Sequence, residues 1–102
     1  MNISMEETKL ISYCHDLELD VAIDWQELPV KLHLIQSPES TLFGPTPEGG
    51  EATLTIRGDL VICDFSGFTI GVAELSRISR LFTAAYRRYL ENFYVVSRKL
   101  ER

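Results

Sequence analysis

The C-terminal thirty residues repeat apolar side chains at the spacing of an α-helix. At about 100° per residue, one sector of that helix collects an apolar set: Leu75, Ile78, Phe82, Ala85, Tyr86, Tyr89, Phe93, Val96 and Leu100. The opposite sector is basic, interrupted only by Glu91, and contains Arg77, Arg80, Arg87, Arg88, Arg98, Lys99 and Arg102. The pattern predicts one long amphipathic helix, from Gly71 or Val72 to about Lys99, with its apolar face on a core and its basic face presented.

A short helix is predicted at the N-terminus. Ser4 followed by Glu7 has the S-x-x-E form of a capping box, so the helix should run from about Met5 to His15. Its inner face would consist of Leu10, Ile11 and Cys14.

The apolar period changes to two over residues 17–25 and continues over residues 30–34, which predicts two strands of an antiparallel hairpin. Matching the apolar faces sets the register as Trp25 opposite Val30, Ile23 opposite Leu32, and Val21 opposite Leu34. The same register places Asp24 opposite Lys31 on the solvent side, where the two could form an exposed ion pair.

A second hairpin is predicted around Gly58-Asp59, which fits a two-residue turn with Gly first. Its register pairs Ile56 with Val61, Leu54 with Cys63, and Ala52 with Phe65 on one face. We expect that face to be buried and the face with Thr53 and Thr55 to be wetter. Phe65→Ala should then cost far more stability than Thr55→Ala.

The element order is helix, strand, strand, loop, strand, strand, long helix. It predicts a single α+β domain over residues 1–102, with a four-stranded antiparallel sheet made of two hairpins and the long helix packed on one face. A helix of about 40 Å is long for a domain of this size, whose radius of gyration should be about 13 Å. We therefore expect a homodimer that buries the far end of the apolar face, at Tyr89, Phe93, Val96 and Leu100.

Charge is divided unequally along the chain. The net charge of −5 is the sum of −9 over residues 1–72 and +4 over residues 73–102. A basic helix face on an otherwise acidic chain fits an acidic protein surface, including the acidic half of a second copy. Nucleic acid is the alternative partner, but the acidic remainder of the domain would repel phosphate.

The Pro- and Gly-rich segment 37–50 reads as a long loop. Its apolar pair, Leu42 and Phe43, either anchors the loop on the core or is presented to a partner. No apolar run approaches the length of a membrane span, and the first residues lack the pattern of a secretory leader, so a cytoplasmic location is expected.

The sequence contains no catalytic or cofactor signature. Its soft metal ligands are Cys14, His15, His33 and Cys63, and they lack the spacing of a zinc site, so no metal is expected. Each cysteine is predicted to be a buried reduced thiol, with a disulfide between the two as the alternative.

Two hypotheses of function follow from these observations. The first is a non-enzymatic protein–protein interaction module, such as a small adaptor, chaperone or inhibitor. Its predicted contact residues are Arg77, Arg80, Arg87, Arg88, Arg98, Leu42 and Phe43. The second is a small nucleic-acid-associated regulator that uses the same basic helix face.

Overall fold

The computed structural model describes residues 3–40, 42–43 and 49–100, with side chains described up to residue 92. Its elements are α1 (Met5–Asp16), β1 (Leu19–Asp24), β2 (Lys31–Gln36), β3 (Gly50–Arg57), β4 (Leu60–Ser66) and α2 (Val72–Leu100). The strands form one antiparallel sheet in the order β1-β2-β3-β4. This confirms the predicted α+β fold, with the long C-terminal helix packed against the sheet.

The N-terminal cap of α1 forms as predicted, but only in half. The Ser4 hydroxyl accepts a hydrogen bond from the Glu7 backbone N–H at 3.1 Å. Within the described part of the chain, the Glu7 carboxylate does not bond back to the cap; it accepts a hydrogen bond from Trp25 Nε1 at 2.8 Å. Glu7 therefore links α1 to the end of β1, while Leu10 and Cys14 are buried beneath the helix.

Both hairpin registers agree with the sequence prediction, including Ile23 opposite Leu32 and Leu54 opposite Cys63. Asp24 also lies opposite Lys31. The ion pair suggested by that register is replaced by local contacts, because the Lys31 ammonium lies 3.2 Å from the Glu27 carboxylate. The Asp24 carboxylate instead accepts hydrogen bonds from the next turn's backbone N–H groups.

An aromatic cluster fixes the middle of α2 over the first hairpin. The Trp25 ring stacks on Tyr89, with centroids 5.0 Å apart and planes 17° apart, and it contacts Phe82 at 6.4 Å. Phe82 is fully buried, as is Ile78 one turn before it. The apolar face of α2 thus packs on the core as its periodicity predicted.

The connection between β4 and α2 is fixed by one buried amide. Gln36 donates a hydrogen bond from Nε2 to the Thr69 carbonyl at 2.8 Å and accepts one at Oε1 from the Thr69 N–H at 3.0 Å. Beside it the backbone passes so close to Gly50 that a Cβ there would lie 2.5 Å from the Gly67 carbonyl oxygen. Glycine at position 50 is therefore required for this crossing.

The prediction that the inner face of β4 is buried is wrong. Cys63 is exposed, Phe65 is 47% exposed, and only Val61 is partly buried against the core. α1 contacts both β1 and α2, so the helical layer lies toward the β1 side of the sheet. Among the described residues, Phe65 has one aromatic neighbour, Phe68, with ring centroids 5.7 Å apart. A half-exposed ring does not justify the large loss of stability expected for Phe65→Ala.

The expectation that Thr55 would be more exposed to solvent than the inner face of β4 is also wrong, because Thr55 is only 8% exposed. It lies on a central strand between Lys31 and Ile62, its register neighbours on either side. A short side chain between longer ones is covered by them even on the side of the sheet that faces solvent.

The molecule is elongated because α2 is a single helix of 29 residues. Its principal extents are 55 × 23 × 21 Å, and its radius of gyration is 15.0 Å, larger than the ~13 Å typical of a compact chain of this length. Among the described residues, neither helix has the combination of length and apolar character needed to cross a membrane.

Replacing Gln36 with Leu should lower the free energy of unfolding by roughly 1 to 3 kcal/mol, because the part-buried N–H and C=O of Thr69 would both lose the buried side chain that they bond to. Urea titration followed by circular dichroism measures this loss. Gln26→Leu, at an exposed turn position, is the matched control and should stay within about 0.5 kcal/mol of the wild type. Equal stability of Gln36→Leu and the wild type would contradict the structural role of this amide.

Candidate functional site

The structure divides the described arginines of the basic face of α2, all of them exposed, into an internal group that contacts α1 and an external group that does not. The internal group holds α1 against α2. The Arg77 guanidinium lies 4.5 Å from the centroid of the Tyr13 ring, a cation–π contact. Arg88 lies 3.4 Å from the Glu6 carboxylate and 3.3 Å from that of Glu91.

The pairing of Arg88 with Glu6 also affects the titration of the acid. A backbone hydrogen bond, followed by the hydrogen bond from Arg88, lowers the pKa of Glu6 below its usual value. Glu6 therefore remains ionised at neutral pH and keeps its Arg88 contact. Arg88 and Arg77 are committed to the chain's own first helix, so they contribute less to an external contact than the sequence pattern suggested.

The external group consists of Arg80 and Arg87, both exposed. No ion pair with either guanidinium is found among the described residues. They lie two turns apart, about 10 Å along the helix, and line a shallow depression together with Ser79, Thr83 and Ala84. The Thr83 hydroxyl donates to the Ser79 carbonyl at 2.8 Å, so the two arginines are the charged donors of this depression. We refer to these five residues as the Arg80/Arg87 surface.

The remaining predicted residues of α2 fall into two classes. Tyr89 packs on Trp25 within the same chain, so its ring has an intramolecular partner. Arg98 and the three distal dimer residues, Phe93, Val96 and Leu100, lie in the part of α2 whose side chains are outside the described residues.

The loop pair splits between the two alternatives considered for it. Phe43 is partly buried and packs against the core, whereas Leu42 is 48% exposed. The start of the loop is held by Ser40, which is buried and donates its hydroxyl to the Glu18 carboxylate at 3.0 Å. Phe43 therefore anchors the loop, and Leu42 is presented to solvent beside it.

The two cysteines are free thiols in different surroundings. The prediction of a buried thiol is confirmed for Cys14, whose burial raises its pKa to about 12. It is wrong for Cys63, which is exposed; partial desolvation and then the Asp64 carboxylate raise its pKa. Both thiols are therefore protonated at neutral pH, which disfavours either as a nucleophile. Within the described residues, no three His, Cys, Asp or Glu side chains cluster as metal ligands would.

A surface that the sequence analysis missed lies along β4. Its side chains are exposed on both faces, and the apolar ones include Leu60, Ile62 and Phe65. The signal in the sequence was the scarcity of charge: β4 contains Asp64 alone and has no Lys or Pro, the residues that usually protect an edge strand. Alternation by itself indicated a buried inner face and concealed this exposure.

Alkylation should distinguish the two thiols. With iodoacetamide at pH 8, mass spectrometry of the folded protein should show one added group, on Cys63, because Cys14 is enclosed by the core. The rate at Cys63 should keep rising as the pH passes 9, since the raised pKa delays formation of the thiolate. Cys63→Ser should remove the modification. Rapid labelling of Cys14 in the folded protein would contradict its burial.

Comparison of the chain with protein-family models, curated proteins and solved structures gives no significant match.

Proposed function

We propose that this chain is a non-enzymatic protein–protein interaction module, a small adaptor, chaperone or inhibitor, that binds an acidic protein partner through the Arg80/Arg87 surface. The observation that carries the proposal is the division of the basic helix face. All four arginines are exposed, but Arg77 and Arg88 contact Tyr13 and Glu6 of α1, whereas Arg80 and Arg87 line one depression and have no ion pair among the described residues. Arginine is well suited to such a role because its planar guanidinium binds carboxylates bidentately.

Leu42 is proposed as an additional contact. Its exposed side chain lies on a loop whose start is fixed by Ser40 and whose neighbour Phe43 is anchored on the core. Presenting an apolar side chain from an anchored position lowers the entropy lost on binding.

Charge favours a protein partner over nucleic acid. A protein that binds nucleic acid neutralises a series of phosphates with many basic side chains. Here Arg77 and Arg88, two of the predicted basic contact residues, contact side chains of α1. In addition, residues 1–72 carry a net charge of −9. An acidic peptide surface needs fewer contacts and can avoid the acidic half of the domain. The nucleic-acid regulator therefore remains the second candidate.

We also propose that the chain forms a homodimer. Exposed apolar side chains on β4 and α2, including Ile62, Phe65 and Leu90, support it, as does the continuation of the apolar helix pattern through Phe93, Val96 and Leu100. These exposed side chains lie on more than one face of the molecule, and exposed apolar surface of this kind often marks a site of protein–protein contact. A second copy of the chain would cover such surfaces symmetrically.

The binding proposal is tested by fluorescence anisotropy with a labelled peptide rich in Glu and Asp, and with a labelled DNA duplex. Reversing both charges, Arg80→Glu with Arg87→Glu, should weaken binding of the peptide by roughly ten-fold or more at low salt. Arg57→Glu is the matched control, since it makes one of the same charge changes at an exposed position on β3. That variant should bind the peptide nearly as well as the wild type.

The outcomes separate the two candidate functions. Peptide binding that falls on reversal of Arg80 and Arg87 but not of Arg57 supports the interaction module. Duplex binding that is tighter than peptide binding, and that shows the same dependence on Arg80 and Arg87, would favour the nucleic-acid regulator. Loss of peptide binding to the same degree in all variants would contradict a defined surface on α2.

A further inference from the structure

We propose that β4 is the surface at which a second copy of the chain binds, by antiparallel pairing of the two β4 strands about a two-fold axis at Cys63. The two four-stranded sheets would then form one continuous sheet. This inference rests on the proposed homodimer and assigns its surface to β4 instead of the distal part of α2.

The outer edge of β4 has hydrogen-bonding groups that the sheet leaves available. In the strand order, β4 pairs with β3 and is followed by no further strand among the described residues. The Ile56 N–H points away from β4, since it bonds to the Val30 carbonyl at 3.3 Å. Ile56 and its partner Val61 are therefore a non-hydrogen-bonded pair, and by alternation the backbone groups of Val61, Cys63 and Phe65 point outward.

The same edge lacks the features that normally prevent strand pairing. Edge strands are usually short, charged, interrupted by Pro, or covered by another element. The other edge of the sheet fits this description, because β1 carries Asp20 and Asp24 and is contacted by α1. β4 instead is seven residues long, contains a single charge, and exposes apolar side chains on both faces.

The sequence of β4 is complementary to itself in one register. With the two-fold axis at Cys63, Phe65 of one copy lies opposite Val61 of the other, and Asp64 lies opposite Ile62. Moving the axis to Asp64 would place two carboxylates opposite each other, a destabilising arrangement. Moving it to Ile62 would place Phe65 opposite Asp59 and remove its apolar partner. The axis at Cys63 is thus favoured by both charge and apolar contact.

This pairing would also give the exposed Phe65 an apolar neighbour on the same face of the sheet. A two-fold axis perpendicular to the sheet keeps both inner faces on the same side, so Phe65 would gain Val61 of the second copy as a neighbour. The outward groups of three residues in each strand would form about six backbone hydrogen bonds. The outward direction of the backbone groups of β4 and the exposure of its side chains allow this pairing without rearrangement of the strand.

Mass in solution, measured by multi-angle light scattering over a range of concentrations, tests the assignment. The wild type should have twice the 11.6 kDa chain mass, and Phe65→Lys should shift the protein toward a single chain, because a charge on the edge opposes pairing. Ile35→Lys is the matched control: Ile35 is 48% exposed, close to the 47% of Phe65, but lies on the central strand β2. It should remain dimeric, and circular dichroism should show that both variants are folded.

Cross-linking of the wild type provides a second measurement that needs no disruptive variant. A two-fold axis at Cys63 places the two Cys63 Cα atoms about 5.5 Å apart, within reach of a short bis-maleimide. Covalent dimer should form in the wild type and be absent in Cys63→Ser, because Cys14 is buried. The Cys63→Ser protein should still have the mass of a dimer.

Each result decides between specific alternatives. A monomeric wild type at high micromolar concentration would overturn both the homodimer and its assignment to β4, even if that monomer bound an extended peptide of another protein. A dimer that survives Phe65→Lys but dissociates on Phe93→Asp would overturn the β4 assignment and leave the homodimer standing on α2. Loss of the dimer in Phe65→Lys alone, together with the Cys63 cross-link, supports the proposal.

Discussion

The placement of the helical layer depends on the buried Gln36 amide and its two hydrogen bonds with the Thr69 backbone. A side-chain amide inside an apolar core is costly unless its polar atoms have hydrogen-bond partners. Here the backbone of one residue, Thr69, provides them: its C=O accepts from Gln36 Nε2, and its N–H donates to Gln36 Oε1. The chain leaving β4 can therefore cross the sheet at one place, where Gly50 and Gly67 allow the backbones to approach. That crossing sets the start of α2 at Val72 and hence the direction in which its apolar face meets the sheet.

The Trp25 cluster fixes the other end of the buried part of α2. Trp25 hydrogen-bonds Glu7 of α1 and stacks on Tyr89 of α2, so one side chain on the first hairpin contacts both helices. The contacts at Thr69 and at Tyr89 together determine the rotation of α2 about its own axis. This rotation turns Arg77 and Arg88 toward Tyr13 and Glu6 of α1 and leaves Arg80 and Arg87 facing solvent. It also keeps the helices toward β1 and leaves β4 uncovered, so both candidate contact surfaces have the same structural origin.

Local sequence pattern was sufficient for the elements and their pairing. The two-residue turn at Gly58 adopts positive φ as such a turn requires, and the pairing of Leu54 with Cys63 follows from it. Alternation correctly identified which side chains share a face of the sheet. It could not show whether a helix covers that face, because coverage depends on where α2 crosses. The exposed Phe65 and the covered Thr55 are the two consequences.

The same limit applies to the charged residues. A helical projection groups basic side chains by angle, but it contains no information about Glu6 and Tyr13, which reach the helix from distant positions in the chain. Gln36 gave no signal either, since a polar residue at the end of an apolar alternation usually marks the end of the buried stretch. The structural role of Gln36 depends on Thr69, which is 33 positions away in sequence and lies beside Gln36 only in the folded chain.

Hydrogen exchange of the Thr69 amide, followed by NMR, tests most directly whether this buried contact holds the helical layer in place. Thr69 lies in a connection between a strand and a helix, where an amide exposed to water would exchange at nearly the rate of an unstructured peptide. Because its N–H is bonded to the buried Gln36 side chain, we expect protection close to that of the central strand residue Leu54. Exchange of Thr69 at the rate of an open loop, with Leu54 still protected, would contradict the proposed anchoring of α2.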